Sequence, residues 1–218
     1  MALLISGPSG NYAEVDPTWK ALRNSVRPLD HGGGGYYRIA VQSGALTTVS
    51  AGAPVFAFRW SNIYYNAIIW FFKWHWWTTT AFGAAQIVDH ALYVGRSWTT
   101  NYGGGTAATL TGNNCKKRTI YGTTGVNYCS VSATAALTGS PTITLDSQPI
   151  MYRQGWSSAL GDALIDPQPT DFETEQEHPI VLAASEGLVL QNVTLMGASG
   201  IIKLNVEVAW AEVPLANF

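Results

Sequence analysis

Charge is what this chain has least of. Lys, Arg, Asp and Glu together supply 12% of its 218 residues, roughly half the share in an average soluble domain. They sum to a formal net charge of −2 at pH 7, which removes any strong electrostatic drive toward phosphate backbones. Direct nucleic-acid binding is therefore not expected. The one basic cluster, Lys116, Lys117 and Arg118, reads as a solvated loop rather than a nucleic-acid patch. The acidic stretch Asp171, Glu173, Glu175 and Glu177 reads as a solvated loop edge, with a cation site as the less favoured alternative.

Cysteine is nearly absent. Cys115 and Cys129 flank a segment short enough to close as a hairpin. A disulfide is open to them, but free thiols in a protein assembled in a reducing cytoplasm are the favoured reading. Long apolar runs are also missing. Ala67 to Trp77 is too short to span a bilayer and contains Lys73 and His75. Met1 to Gly10 lacks the basic start and the apolar length of a signal peptide. No membrane partner is expected.

Recognisable catalytic patterns are missing as well. No Gly-x-Ser-x-Gly turn occurs to carry a serine nucleophile. Gly7-Pro8-Ser9-Gly10 lacks the lysine and spacing of a phosphate-binding loop. The glycine runs Gly32 to Gly35 and Gly103 to Gly105 are not followed by a helix that could cradle phosphate. The four histidines, His31, His75, His90 and His178, are scattered, and only Asp89-His90 are adjacent. His90 falls on the inward face of an expected strand and reads as a core or interface histidine. Asp146, Asp162, Asp166 and Glu186 could converge as paired carboxylates of a glycosidase, but nothing in their spacing singles them out. Asn192-Val193-Thr194 matches a glycosylation sequon inside an expected strand and reads as structural. Catalytic, cofactor-binding and metal-ligating residues are thus expected to be none, and the chain is not expected to be an enzyme.

Tryptophan and tyrosine are abundant instead, and almost everything reads as strand and turn. Tyr37, Ile39 and Val41 alternate with Tyr36, Arg38, Ala40 and Gln42. Phe56, Phe58 and Trp60 share one face opposite Val55, Ala57 and Arg59. Read as a strand, Ala67 to Trp77 places Ile68, Trp70, Phe72, Trp74 and Trp76 on one side. Ile69, Phe71, Lys73, His75 and Trp77 fall on the other. Both faces are bulky, so one is expected to meet the core and the second a partner. Asp89 to Trp98 is expected as a strand with Leu92 and Val94 inward. Thr142 to Leu145, Ile150 to Tyr152, Pro179 to Ala183 and Gly187 to Leu195 are further strands. Ile202, Leu204, Val206, Val208 and Trp210 then alternate with Lys203, Asn205, Glu207, Ala209 and Ala211, the strongest strand signal in the chain.

This pattern predicts an all-β protein, an antiparallel β-sandwich of jelly-roll type with long loops. Residues 1–30, punctuated by Pro8, Pro17 and Pro28, read as an extended N-terminal arm. Residues 31–218 read as a single sandwich domain, with a loop-rich excursion at about 155–177 and one helical turn near Ser157 to Leu164. Two aromatic sets are candidate functional residues. Trp70, Phe72, Trp74, Trp76 and Trp77 are a candidate subunit interface, and Trp98 and Tyr102 a candidate glycan-binding pair, since aromatic faces serve both purposes.

Several segments resemble structural proteins of tailed bacteriophages. They are Asn24-Ser25-Val26-Arg27-Pro28, Pro54-Val55-Phe56-Ala57-Phe58-Arg59-Trp60, Thr109-Leu110-Thr111-Gly112-Asn113-Asn114, Glu177-His178-Pro179-Ile180-Val181-Leu182, Glu186-Gly187-Leu188-Val189-Leu190-Gln191-Asn192 and Val206-Glu207-Val208-Ala209-Trp210-Ala211-Glu212. The similarity is diffuse and runs from about residue 23 to 213; no catalytic motif belongs to it. It implies a virion component assembled in the host cytoplasm, a jelly-roll protein on the head exterior or in a fibre or collar. The expected role is capsid cement or decoration, by a homo-oligomer such as a trimer that contacts the major capsid protein. The alternatives are a receptor- or glycan-binding domain of a tail or fibre, and a jelly-roll major capsid protein.

Overall fold

The computed structural model describes residues 34–157, 170–171 and 180–215. The expected N-terminal arm, residues 1–30, lies outside the described residues, as does most of the expected excursion with its helical turn. Twelve strands follow one another and no α-helix occurs among the described residues. They are β1 (Gly35–Gln42), β2 (Pro54–Trp60), β3 (Tyr65–Thr80), β4 (Gln86–Arg96), β5 (Gly105–Ala107), β6 (Val126–Ser132), β7 (Thr144–Leu145), β8 (Met151–Ser157), β9 (Thr170–Asp171), β10 (Ile180–Leu182), β11 (Glu186–Asn192) and β12 (Ile201–Pro214).

Two antiparallel sheets result. The first has the order β1-β12-β3-β10, with β9 also pairing β3. The second has the order β5-β6-β2-β11-β4-β7, with β8 also pairing β4. Four of the pairings are nested in sequence, β1 with β12, β2 with β11, β3 with β10 and β4 with β8, and the ribbon closes into sheets where β12 also pairs β3 and β11 also pairs β4. Successive strands β1 to β2 and β3 to β4 therefore change sheet, as do β10 to β11 and β11 to β12. That nesting brings both ends of the described chain together in the first sheet.

The alternation of apolar residues selects the inward faces. Ile202, Leu204, Val206, Val208 and Trp210 of β12 all point into the space between the sheets and are fully buried. Tyr37 stacks on Trp210 at 5.6 Å between ring centres, and Phe58 of the opposite sheet meets the same indole edge-on at 5.1 Å. Phe56 meets Phe72 edge-on across the same layer at 5.8 Å. Such geometry adds about 0.5–1.5 kcal/mol per ring pair beyond area burial.

β3 departs from simple alternation. Opposite β12, Phe71 pairs with Ala209 and Ile69 with Trp210, so Trp70 is an extra residue, a β-bulge. On its C-terminal side Phe72, Trp74 and Trp76 face the core; on its N-terminal side Ala67 and Ile69 do so. Ile68 and Trp70 are therefore turned to the outer face, where they cluster with Tyr36, Phe71, Val181, Ala211 and Val213. Strict period-two reading put Ile68, Trp70, Phe72, Trp74 and Trp76 on one side; the bulge divides them.

Three other expectations need correction. Gly155, Trp156 and Ser157 belong to β8 rather than to a loop. β6, where the sequence pattern gave no strand, is a full strand between β5 and β2. Trp98 lies beyond the end of β4.

Candidate functional site: where the aromatic side chains go

The excess of indole predicts a face covered by a neighbour. The chain covers most of it by itself. Trp60, Trp74, Trp76, Trp98 and Trp210 are fully buried, and Trp70 is buried in the outer cluster. Of the candidate interface residues, Phe72, Trp74 and Trp76 line the core between the sheets and cannot touch a second molecule in the folded protein. Only Trp77 keeps partial exposure, stacked on His75 at 5.9 Å. The physical reason is the position of β3: it is flanked by β12 on one side and β10 and β9 on the other, with one face against the second sheet.

The candidate glycan pair is likewise closed at Trp98. Trp98 has no accessible surface, and its Nε1 donates to the carbonyl of Thr100 at 2.7 Å. It anchors a small core on the outer face of the second sheet with Ala57, Leu137 and Val189, which Tyr102, Tyr128, Ile143 and Leu145 complete. Gly187 makes room for it: a Cβ there would stand 2.8 Å from the indole and 2.2 Å from the carbonyl oxygen of Phe58. Tyr102 meets Trp98 edge-on at 5.7 Å and is only partly exposed. Trp98 is therefore closed to a sugar ring, while Tyr102 keeps partial exposure.

The outer face of the first sheet is polar beside its apolar cluster. Arg38 pairs with Glu207 and lies over the Phe71 ring at 5.2 Å. Gln42 donates to Asn205 at 3.1 Å, and Asn205 meets His75 Nε2 at 3.0 Å. Burial and the nearby Lys73 ammonium push the His75 pKa down. The Lys116 to Arg118 segment runs along the edge of β1. Arg38 N–H donates to Cys115 O at 2.8 Å, Lys117 N–H to Tyr36 O at 3.1 Å, and the Lys117 ammonium sits 5.5 Å from the Tyr36 ring. Both cysteines are free thiols and both are buried.

The acidic residues act as structural ties. Arg96 at the end of β4 donates through Nε and Nη2 to both Asp146 oxygens at 3.2 Å, and through Nη1 to Glu186 at 2.5 Å. Two of the four carboxylates weighed as a glycosidase pair thus meet on one guanidinium, while Asp162 and Asp166 lie outside the described residues. Glu212 is buried and accepts from Thr124 Oγ1 at 2.6 Å, Gly125 N–H at 3.0 Å and Trp210 Nε1 at 3.2 Å. Burial raises its pKa, against the pull of those bonds. Asn192 of the sequon is buried, and its Nδ2 donates to the carbonyls of Val49, Ser50 and Thr194. His31 and His178 lie outside the described residues. Among the described residues no group of three or more His, Cys, Asp or Glu could hold a metal ion, and no helix is long and apolar enough to cross a membrane.

His90 is fully buried on the inward face of β4, its ring 5.1 Å from that of Trp76. Neither ring nitrogen has a hydrogen-bond partner among the described residues. Burial lowers its pKa to about 4, only partly offset by the adjacent Asp89 carboxylate. It is a neutral core histidine, and a costly one.

Large apolar side chains are exposed at several places among the described residues, Ile120, Ile150 and Leu195 among them, and two groups include aromatic rings. Ile63 and Tyr64, 63% and 70% exposed, sit in the β2–β3 loop beside Leu215, whose N–H donates to Tyr64 O at 3.0 Å. On the other sheet, β8 shows Tyr152 at 47% and Trp156 at 67% exposure. Sequence reasoning missed Trp156 because Arg153 and Gly155 obscure the alternation of Tyr152, Gln154 and Trp156. No family model, no curated protein and no solved structure matches the chain.

Proposed function

We propose that this protein is a virion structural component with a jelly-roll fold, a cement or decoration protein on the exterior of a bacteriophage head. It associates with itself, as a trimer or another closed ring, and with other virion proteins such as the major capsid protein. One observation carries the reading: the nested pairing of β1 with β12, β2 with β11, β3 with β10 and β4 with β8. An antiparallel ribbon folded over in this way gives two four-strand sheets, the jelly-roll arrangement of many viral shell proteins. A fold alone does not fix a function, so the surface must also fit. The uncovered Ile63, Tyr64 and Leu215 lie together at one end of the sandwich, where a neighbouring subunit would bury them. The segments that resemble tailed-phage structural proteins include β2 and β11, two central strands of the second sheet.

Light scattering on the purified full chain, with mass spectrometry of purified particles, tests this. An oligomer that Ile63→Ser with Tyr64→Ser dissociates, and many copies per particle, are expected. A strictly monomeric chain missing from particles would overturn the reading.

A further inference from the structure

We infer that the outer face of β8 is a binding strip for a neutral oligosaccharide, with Tyr152 and Trp156 as stacking rings and Gln154 as the hydrogen-bonding group between them. The site is independent of the assembly reading above. Alternation puts Tyr152, Gln154 and Trp156 on one face, opposite Ala91, Asp89 and Ile87 of β4. The two rings are four residues apart, about 13 Å along an extended strand. That span exceeds one sugar ring, so the ligand is a chain rather than a monosaccharide.

The strip is held in place before any ligand arrives. Tyr152 donates its hydroxyl to Asp89 Oδ2 at 2.7 Å. Asp89 is itself buried and fixed, accepting from Thr194 N–H at 2.7 Å and from Thr194 Oγ1 at 2.9 Å. An anchored ring loses little freedom on stacking, which favours binding by preorganisation. Trp156, paired across the ladder with Ile87, leaves its indole 67% exposed.

Charge decides the ligand class. Tyr152, Gln154 and Trp156 are all neutral, and the Asp89 carboxylate beneath them is already engaged by three donors. Nothing on the strip matches an anionic ligand such as a nucleic acid or a sulfated glycan. The negative face of an aromatic ring attracts the weakly positive C–H face of a pyranose, and an amide between two rings can both donate to and accept from sugar hydroxyls. A stable protein contact needs about 800 Å² per partner around apolar anchors, whereas this strip is one strand wide with an amide at its centre.

The test titrates the full chain with unmodified oligomers of glucose, mannose, galactose and N-acetylglucosamine, following tryptophan emission and heat. A sulfated oligosaccharide serves as the charged control. At least one neutral oligomer is expected to bind and to shift the emission, with the charged one silent. Trp156→Ala and Tyr152→Ala should each weaken binding about tenfold, while Trp156→Phe retains most of it and the melting temperature of the two Trp156 variants stays near that of the parent; Tyr152→Ala also removes a donor from buried Asp89 and is expected to melt lower. Silence across all neutral oligomers, or binding indifferent to both alanine variants, would overturn the proposal. So would a Trp156→Ala variant whose only change is in oligomeric mass, since the strip would then be a protein contact. Light scattering reads assembly separately, so the two proposals can fail apart.

Discussion

At the scale of single residues, His90 carries the clearest liability. Its folded pKa of about 4 lies below the ordinary value of 6.5, so between those values the unfolded chain takes up the proton first. Stability contributed by the neutral ring is present above pH 6.5 and is lost as the pH falls toward 4, amounting to about 2 kcal/mol by pH 5. His90→Leu removes two unpaired buried nitrogens from a core lined by Trp76. Urea unfolding at pH 7 and pH 5 should show that the variant is at least as stable as the parent at pH 7 and loses less on acidification. A variant with unchanged acid sensitivity would show that the carboxylates, not His90, set it. Trp98 makes the opposite case: Trp98→Ala empties the small outer core and should cost about 3–5 kcal/mol by denaturant unfolding.

At the scale of elements, the bulge at Trp70 decides which side chains β3 buries. Deleting Trp70 would restore plain alternation against β12 with Ala67, Ile69, Phe72, Trp74 and Trp76 all still facing the core, at the cost of one ring from the outer cluster. Retention of most of the near-ultraviolet aromatic dichroism is the expected outcome, and its collapse would show that the bulge itself is required for the sheet. This is also where sequence stops being readable. β12 and β1 were legible because each has one clearly apolar face. β3 was legible as a strand, but an extra residue in a ladder leaves no mark in the local pattern. β6 was missed because Cys129 and Val131 face the main core while Ser130 and Ser132 are also buried, so neither face reads as solvent. Tyr102 sits next to the glycines that usually mark an open loop, and only the packing of Trp98 against Gly187 reveals that the loop folds down. The Arg96 tie is partly exposed on both sides, and Arg96→Ala should cost no more than about 1 kcal/mol in thermal unfolding.

At the scale of the whole molecule, low charge takes on a different meaning from the one composition suggested. The fold conceals most of its tryptophan unaided, so aromatic content by itself does not require neighbours. What remains outside is mainly neutral, with several of its charges already paired: Arg38 with Glu207, and Arg96 with Asp146 and Glu186. The proposed self-association through Ile63, Tyr64 and Leu215 should therefore be nearly indifferent to ionic strength. Light scattering at low and high salt is expected to give the same mass; dissociation by salt would point to a charged interface elsewhere.

The pair of reduced sulfurs offers a built-in stopwatch for how this sandwich comes apart. Cys115 belongs to the segment bonded along the rim of β1, whereas Cys129 sits in mid-sheet between β5 and β2. A thiol-reactive dye can reach either one only when its cover lifts. Cys115 should be tagged first, in step with fraying at that rim, and Cys129 only when the sheets part, so two labelling rates would time the two events within one native chain.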